Sequence, residues 1–180
     1  MTGKRIGFHE MKKILIATIP ILRMNKLKLI IASLFLIFSL SAQAKTTEGL
    51  VVKIADGDTL TLLTSSNKKI KIRLAGIDTP EIKQPFGNKA KQALAKLVFQ
   101  KKVQVEAQTK DRYGRTVGIV FVDGQNVNYE LVRQGMAWVY RKYTDDEIFY
   151  RLEAQAKTKK SGLWAGEQPI APWHWRKGKR

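Results

Sequence analysis

The sequence predicts an α+β fold: a five-stranded β-barrel with about three helices. Three observations lead to this fold class. Residues 49–74 contain three short segments in which apolar and polar side chains alternate, which is the period of half-buried strands. The apolar period becomes helical at 87–100 and alternates again between 102 and 122, which adds one helix and two strands. Five short strands in one small domain favour a closed sheet, because closure removes the exposed edges.

The first three strands are expected at 49–55, 59–63 and 69–74, joined as an antiparallel meander. Asp56-Gly57 is a hairpin-turn signal, and a second turn is expected at Ser65-Ser66-Asn67. Apolar side chains that share a face of each strand are Leu50, Val52 and Ile54, then Leu60 and Leu62, then Ile70, Ile72 and Leu74.

A helix is expected at 87–100, where apolar residues recur with the helical period and lysines lie opposite them. The fourth and fifth strands follow at 102–107 and 115–122. A five-stranded barrel with a helix between its third and fourth strands matches the oligonucleotide/oligosaccharide-binding (OB) fold. The apolar face of this helix is formed by Ala90, Leu94, Leu97 and Val98.

Two more helices are expected after the barrel strands. Asn128 is predicted to cap a short helix that ends at Gly135. The stretch Thr144-Asp145-Asp146-Glu147 has the spacing of a capping box and predicts a helix that ends at Gly162. The side chains expected to face inward from this helix are Ile148, Leu152 and Ala156.

Residues 1–44 have the layout of a secretory signal peptide, which is set apart from the fold. A basic stretch precedes a twelve-residue apolar run, 29–40, and Ser41-Ala42-Gln43-Ala44 then resembles a cleavage site. A membrane span needs about 20 apolar residues, so an uncleaved anchor is the weaker alternative. Met24 stands where such a signal would begin. We therefore expect an exported protein, secreted or periplasmic, without stable membrane association after cleavage.

The remaining chain is strongly basic and is expected to act as a monomer. Residues 1–44 contribute seven basic and one acidic residue to the net charge of +18, which leaves +12 for 45–180. Such a charge favours a polyanionic partner, nucleic acid before anionic membrane. No cysteine is present, so disulfides and thiol chemistry are excluded. We expect a domain at 45–166 and a loosely attached, basic, tryptophan-rich tail at 167–180.

Asp58 and Asp78 are the candidate metal ligands. They stand at the ends of neighbouring strands of the meander, where their carboxylates are expected to meet. Two carboxylates and a main-chain carbonyl form an oxygen-only site that suits calcium. The alternative is that Asp56-Gly57-Asp58-Thr59 is only a turn and Asp78-Thr79-Pro80 only a helix cap.

Arg73, Arg115 and Glu81 supply the other chemistry that cleavage of a phosphodiester needs. The planar fork of arginine binds phosphate oxygens in pairs, and a glutamate beside a metal ligand can act as general base on water. Each residue also has an ordinary explanation. Arg73 is then one more basic residue on a polar strand face, Arg115 the residue after a turn, and Glu81 an acid favoured by a helix dipole.

These motifs resemble the staphylococcal nuclease family over roughly residues 48–165. The order and spacing of several linked motifs make the resemblance specific. The matching stretches are Asp56-Gly57-Asp58-Thr59, Arg73-Leu74-Ala75-Gly76-Ile77-Asp78-Thr79-Pro80-Glu81, Asp111-Arg112-Tyr113-Gly114-Arg115, Leu131-Val132-Arg133-Gln134-Gly135 and Glu153-Ala154-Gln155-Ala156-Lys157.

The resemblance implies a calcium-dependent nuclease that hydrolyses DNA and RNA at the P–O5′ bond, with single-stranded or denatured substrates favoured. It implies that Asp58 and Asp78 bind Ca²⁺ through their carboxylates and Thr79 through its carbonyl. Glu81 would be the general base, while Arg73 and Arg115 would stabilise the phosphorane-like transition state. Tyr113 would lie beside the substrate.

Some parts of the chain depart from the family pattern. Arg112 stands where the family has a lysine. Only the positive charge matters at this position, so Arg112 is still expected to bind substrate. Tyr140 or Tyr143 is expected to stack on a base, with an ordinary core or surface role as the alternative. The competing interpretation of the whole chain is a non-catalytic OB-fold module that binds nucleic acid, and a membrane-surface protein is a third. Retention of Arg73, Glu81 and Arg115 beside both acids favours the nuclease.

Overall fold

The computed structural model describes residues 45–179, and within them five strands close into a barrel. The strands are β1 (Lys45–Ile54), β2 (Thr59–Leu63), β3 (Lys69–Leu74), β5 (Lys102–Lys110) and β6 (Thr116–Val122). All neighbours are antiparallel except β3 and β6, which pair in parallel and close the barrel. The predicted α+β fold with a five-stranded OB barrel is therefore confirmed.

Three short strands and four helices surround the barrel. Strand β4 (Ile77–Asp78) pairs with β8 (Trp138–Val139), and β7 (Gln125–Asn126) pairs antiparallel with the end of β6. The helices are α1 (Gly87–Val98), α2 (Val127–Arg133), α3 (Glu147–Thr158) and α4 (Pro172–Trp175), with a 3₁₀ turn at Gly162–Ala165. The prediction of about three helices omitted α4, which lies in the C-terminal tail.

The core fills the barrel and continues beneath the helices. Strand residues such as Leu60, Ile72 and Val105 are fully buried inside the barrel, and burial of this apolar area is the main stabilising contribution. Helix α1 adds the predicted Ala90, Leu94 and Val98, while Leu97 is only partly buried. Helices α2 and α3 complete the core with Leu131, Val132 and Phe149.

A β-bulge corrects the predicted inner face of β1. The pairing of β1 with β2 shifts register between Val51 and Lys53. The extra residue reverses the alternation, so that Val51 and Ile54 point inward while Leu50 is 37% exposed. A bulge leaves no clear mark in an alternating sequence, which is why Leu50 was misassigned.

Both predicted caps of the later helices are displaced. Asn126, not Asn128, caps α2, with its side chain accepting a hydrogen bond from the backbone N–H of Tyr129. Asp146, not Thr144, caps α3 in the same way through the N–H of Ile148. The later start of α3 rotates its inner face, so Phe149 is buried and Ile148 is exposed.

The predicted signal peptide at 1–44 and the alternative start at Met24 lie outside the described residues. Within 45–179, no helix has both the length and the apolar character required to cross a membrane.

Candidate active site

An open cleft of about 750 Å³ lies where β2 begins, β3 and β4 end and the loop before β6 approaches them. Aspartates, arginines and tyrosines line it, and the tail after the 3₁₀ turn reaches its edge. The cleft brings together all nine residues singled out in the sequence: Asp58, Arg73, Asp78, Thr79, Glu81, Arg112, Tyr113, Arg115 and Tyr140.

Asp58 lies in the turn between β1 and β2 and is held there by a set of hydrogen bonds. One carboxylate oxygen, Oδ2, accepts from the backbone N–H of Thr79 at 2.8 Å and from its hydroxyl at 2.9 Å. The same oxygen lies 2.7 Å from Nη1 of Arg73. These contacts join the turn after β1 to the segment after β4, so the motif at 56–59 is more than a turn.

Gly57 permits this close approach. A Cβ atom at position 57 would lie 2.7 Å from the Thr79 hydroxyl and 2.7 Å from the Cβ of Ala90 on α1. Contacts of that length force neighbouring atoms to move, and backbone approach of this kind is a typical reason for glycine. The side chain of Asp58 can therefore reach Thr79 because residue 57 has none.

Asp78 is the most deeply buried carboxylate of the cleft, with 1% of its surface exposed. Strand β4 places it opposite Trp138 of β8. Its Oδ1 accepts from Nη2 of Arg73 at 3.0 Å and from Nη1 of Arg176 at 3.2 Å, and its Oδ2 accepts from Nη2 of Arg176 at 2.7 Å. Burial raises the pKa of Asp78, and the two guanidinium groups partly offset that effect.

Asp58 and Asp78 face a single guanidinium group. Nη1 of Arg73 binds Asp58 and Nη2 binds Asp78, so the two carboxylates lie within the span of one planar side chain. Asp56 adds a third negative group nearby, because its carboxylate accepts from the N–H of Asp58 at 3.1 Å. Burial, and then the charge of Asp58, raise the pKa of Asp56 to about 6.

The donor set at this point fits a hard divalent cation. Oxygen atoms of two convergent carboxylates, with the main chain of Thr79 beside them, are the ligand chemistry that calcium prefers. Within 45–179 no group of three or more histidine, cysteine or acidic side chains is placed to hold a metal. A cation here would therefore need water, a main-chain carbonyl or substrate oxygens to complete its coordination.

Glu81 lies at the rim of the cleft rather than at the start of a helix. Its side chain is 42% exposed, and its Oε1 accepts from Nη1 of Arg176 at 2.8 Å. Helix α1 begins only at Gly87 and has no acidic residue in its first turn, so the helix-dipole explanation of Glu81 is wrong. The same observation removes the helix-cap explanation of Asp78.

The turn between β5 and β6 holds Arg115 through Asp111. The Asp111 carboxylate accepts from the Arg115 Nε at 2.6 Å and from the backbone N–H groups of Tyr113 and Arg115, both at 2.9 Å. Burial raises the pKa of Asp111, but these hydrogen bonds and the charge of Arg115 together outweigh it and lower the pKa below its ordinary value. The guanidinium is thus oriented by a charged partner.

Tyr113 is 68% exposed at the tip of the same turn. Nη2 of Arg112 donates to its hydroxyl at 2.8 Å, and the guanidinium groups of Arg112 and Arg115 lie 4.9 and 5.4 Å from its ring centroid. An aromatic ring between two cations forms an exposed surface that suits a phosphate and a sugar or base.

The C-terminal tail was expected to be loosely attached, but the structure places it against the cleft. The Trp173 ring stacks on the ring of Tyr140, with centroids 5.2 Å apart and planes 9° apart. Arg176 adds a guanidinium that sequence analysis missed. Its contacts with Asp78 span 98 positions in the chain. The basic and aromatic composition of the tail was visible in the sequence, but its docking place was not.

Comparison with known proteins places the chain in a family. Residues 71–166 match the model of the staphylococcal nuclease homologue family. An uncharacterized endonuclease of Haemophilus influenzae is 47% identical over 152 residues, which cover 83% of this chain and 85% of the relative. A micrococcal nuclease of Shigella flexneri is 40% identical over 165 residues, 86% of this chain and 94% of the relative.

A third relative, protein ParB of Escherichia coli, is 43% identical over 141 residues, which cover 72% of this chain and 78% of that protein. The family model and these three relatives together show the family of the chain. The chain therefore belongs to the staphylococcal nuclease family and is a hydrolase of phosphodiester bonds.

Proposed function

We propose that this nuclease is calcium-dependent and hydrolyses DNA and RNA at the P–O5′ bond, within strands and from their ends. The observation that carries the proposal is the pair of buried carboxylates, Asp58 and Asp78, which converge on one Arg73 guanidinium in an open cleft. Buried acids facing one another bind a divalent cation readily, because the cation offsets their mutual repulsion.

In this proposal Asp58 and Asp78 hold calcium through their carboxylates and Thr79 through its carbonyl. When bound, the ion supplies positive charge next to the phosphate oxygens, where negative charge grows in the transition state. Asp58 is fixed by two hydrogen bonds from Thr79, so the ligands on the two segments keep their relative positions.

Glu81 is the proposed general base. Its carboxylate is partly exposed to solvent and follows the Asp78-Thr79 ligands by two positions, so it can take a proton from a water that attacks phosphorus. Arg73 and Arg115 are proposed to stabilise the negative charge of the phosphorane-like transition state. Both lie in the cleft, and their planar forks match the equatorial oxygens of a five-coordinate phosphorus.

Arg112, Tyr113 and Tyr140 are the proposed substrate contacts. Arg112 and Tyr113 form the exposed tip of the β5–β6 turn, where a phosphate can meet the cation and a sugar or base the ring. Tyr140 lines the other side of the cleft and would stack on a base. Stacking needs accessible base faces, which favours single-stranded or denatured substrates.

The rest of the proposal concerns the state of the protein. We propose a monomer that is exported to the periplasm or the medium, without stable membrane association once the signal is removed. The layout of residues 1–44 supports export.

The experiment that tests this function measures acid-soluble nucleotides released from denatured DNA and from RNA by the purified protein, in calcium and after addition of a calcium chelator. We expect cleavage that chelation abolishes and that magnesium restores poorly. Because the 5′ oxygen is the leaving group, the products should carry a 5′-hydroxyl and a 3′-phosphate, and mass spectrometry in H₂¹⁸O should find the water-derived oxygen in that 3′-phosphate. Asp58→Ala should lower calcium affinity in calorimetry.

The competing function, a non-catalytic module that binds nucleic acid, predicts a different result. Tight, salt-sensitive binding without cleavage in either condition would support it. Unchanged calcium affinity in Asp58→Ala would remove Asp58 from the metal site while leaving the nuclease itself in place.

A further inference from the structure

The last turn of the chain forms a strap across one side of the cleft. We call residues 170–176 the C-terminal strap. Its start is held where Nε2 of Gln84 donates to the carbonyl of Ile170 at 2.5 Å. Its helix α4 then presents Trp173, which stacks on Tyr140 and meets Trp138 edge-on at 5.7 Å between centroids. Contacts at Ile170 and at Trp173 therefore hold the strap near the cleft, in addition to those of its final residue.

That final residue, Arg176, binds two carboxylates of the proposed site. Its Nη2 donates to Oδ2 of Asp78 at 2.7 Å, and its Nη1 donates to Oδ1 of Asp78 at 3.2 Å and to Oε1 of Glu81 at 2.8 Å. The pairing with Asp78 is bidentate, the strongest geometry for arginine and a carboxylate. Both oxygens of the buried Asp78 are thus engaged by the guanidinium group.

A divalent cation at Asp78 would need the same oxygen atoms. Arg73 already donates to Oδ1 of Asp78, so with Arg176 in place this carboxylate accepts three hydrogen bonds from two cations. A metal ion next to two guanidinium groups would also be repelled by both of them. Arg176 likewise occupies the Glu81 oxygen that the attacking water would use as its proton acceptor.

We propose that the C-terminal strap is an internal competitor of the divalent cation, in which Arg176 and the cation bind the Asp78 carboxylate alternately. The proposal rests on the proposed function, because it takes Asp78 as a metal ligand. The strap-docked state is the resting form, with its acids neutralised by Arg176. Cation binding requires Arg176 to leave, and the active form has the strap undocked.

Release of the strap also changes the aromatic side of the cleft. Trp173 covers one face of Tyr140 in a stacked geometry that a nucleobase would adopt. When Arg176 leaves Asp78, the contact that ends the strap is lost and the Trp173 stack is weakened. Cation binding at Asp78 is thereby coupled to exposure of a Tyr140 face to substrate.

The test compares calcium affinity by calorimetry in the full chain and in Arg176→Gln, without nucleic acid. The matched control is Lys177→Gln, which removes one positive charge from an exposed neighbouring position. If the strap is docked in about nine of ten molecules, Arg176→Gln should bind calcium about tenfold more tightly, because affinity is reduced by the fraction of competent protein. Lys177→Gln should bind as the unaltered chain does.

A second variant and a second signal keep the test independent of the Arg176 substitution. Trp173→Ala loosens the strap but leaves every charged group of the site in place, and it should tighten calcium binding in the same direction. In the unaltered chain, calcium should shift tryptophan emission as Trp173 leaves its stack, and Trp173→Phe should lose most of that shift.

Equal calcium affinity in the unaltered chain, Arg176→Gln and Trp173→Ala would overturn the strap proposal and leave the metal site standing. Weaker binding in Arg176→Gln would also overturn it, by showing that Arg176 supports the site. Absence of calcium binding in all variants would overturn the metal site and the strap together, so the two failures are distinguishable.

Discussion

Glu81 differs from the other carboxylates of the cleft in how it is held. Asp58 and Asp78 are buried and bound by several donors, whereas Glu81 is half-exposed and its carboxylate accepts from Arg176. A metal ligand benefits from fixed geometry, but a general base must reach a water molecule and be able to take up and release a proton. The two kinds of environment match the two proposed roles.

Glu81→Gln separates these roles. The amide keeps the size of the side chain but takes no proton, so we expect turnover to fall by about 10²–10⁴-fold while binding of DNA in calcium changes little. Single-turnover cleavage and fluorescence-anisotropy binding measure the two effects. Glu167→Gln, the same change at an exposed glutamate, is the control. An equal loss of binding and of cleavage would contradict a base role.

Arg115→Lys tests whether the geometry of the guanidinium matters beyond its charge. Lysine cannot supply two parallel donors, and it also loses the Nε–H that Asp111 uses to orient the arginine. We expect kcat to fall by about a hundredfold with a smaller change in KM. Arg151→Lys, on the exposed face of α3, is the control. Full activity of Arg115→Lys would remove Arg115 from the transition-state contacts.

At the scale of elements, Asn128 shows how α2 is fixed to the barrel. It is fully buried, its Oδ1 accepts from the N–H of Val120, and its Nδ2 donates to the carbonyls of Ala75 and Gly118. Ala75 follows β3, and the other two partners lie in β6. The Asn128 amide therefore makes hydrogen bonds to backbone groups at the point where α2 meets the two strands that close the barrel.

Asn128→Asp keeps the acceptor and removes both donors, which leaves two buried carbonyls facing a carboxylate. We expect a loss of roughly 2–4 kcal/mol in the free energy of unfolding, measured by urea denaturation. Asn126→Asp is the matched control, because aspartate caps a helix about as well as asparagine does, and its cost should stay below about 0.5 kcal/mol. Equal effects at the two positions would contradict the bridging role of Asn128.

Glu153 fixes α3 to β8, the strand that pairs with the strand of Asp78. Its carboxylate accepts from the N–H of Val139 at 3.0 Å, from Arg141 at 2.8 Å and from Lys157 at 2.9 Å. Burial raises the pKa of Glu153, but the two cations and the backbone donor outweigh it, and the pKa lies below its ordinary value. A glutamate whose pKa is lower in the folded state than in the unfolded state stabilises the fold at pH values above its unfolded-state pKa.

The stabilisation from Glu153 should therefore be complete at neutral pH and disappear as pH falls through the lowered folded-state pKa. We expect Glu153→Gln to cost roughly 1–3 kcal/mol of unfolding free energy at pH 7, and the difference from the unaltered chain to vanish in strong acid. Urea denaturation across that pH range measures it. Glu147→Gln, exposed on the same helix, should show almost no effect. A difference that is independent of pH would contradict the ionised role.

The same elements show what sequence could predict and what it could not. Asp58 and Arg73 lie where β2 begins and β3 ends in one meander, whose alternation and turns place strand ends together, so their meeting was predictable. Asp78 was expected on a neighbouring strand of that meander, but it lies on β4, which pairs with β8 outside the barrel sheet. Helix α2 was predictable, but the choice between Asn126 and Asn128 as its cap was not, because both are good caps and only tertiary packing buries Asn128. Contacts of the tail depend on docking across 98 positions and have no local signature.

For the whole molecule, the start of β1 bears on the proposed export and processing of the chain. Lys45 pairs with Ala107 of β5, and Thr46 with Glu106, so the first residue after the predicted cleavage site is already paired in the barrel sheet. Cleavage after Ala44 would leave this pairing complete, whereas cleavage a few residues later would remove part of the edge of β1.

We therefore expect the mature protein, recovered from the periplasm or medium of a Gram-negative host, to begin at Lys45. Intact-mass spectrometry and N-terminal sequencing measure this. Ala44→Phe, which places a large side chain where the peptidase accepts small ones, should leave the precursor uncut. Since 1–44 carries a net charge of +6 of the total +18, the processed chain should still bind nucleic acid with strong salt dependence. A membrane-bound product that retains 1–44 would show instead that the apolar run acts as an anchor.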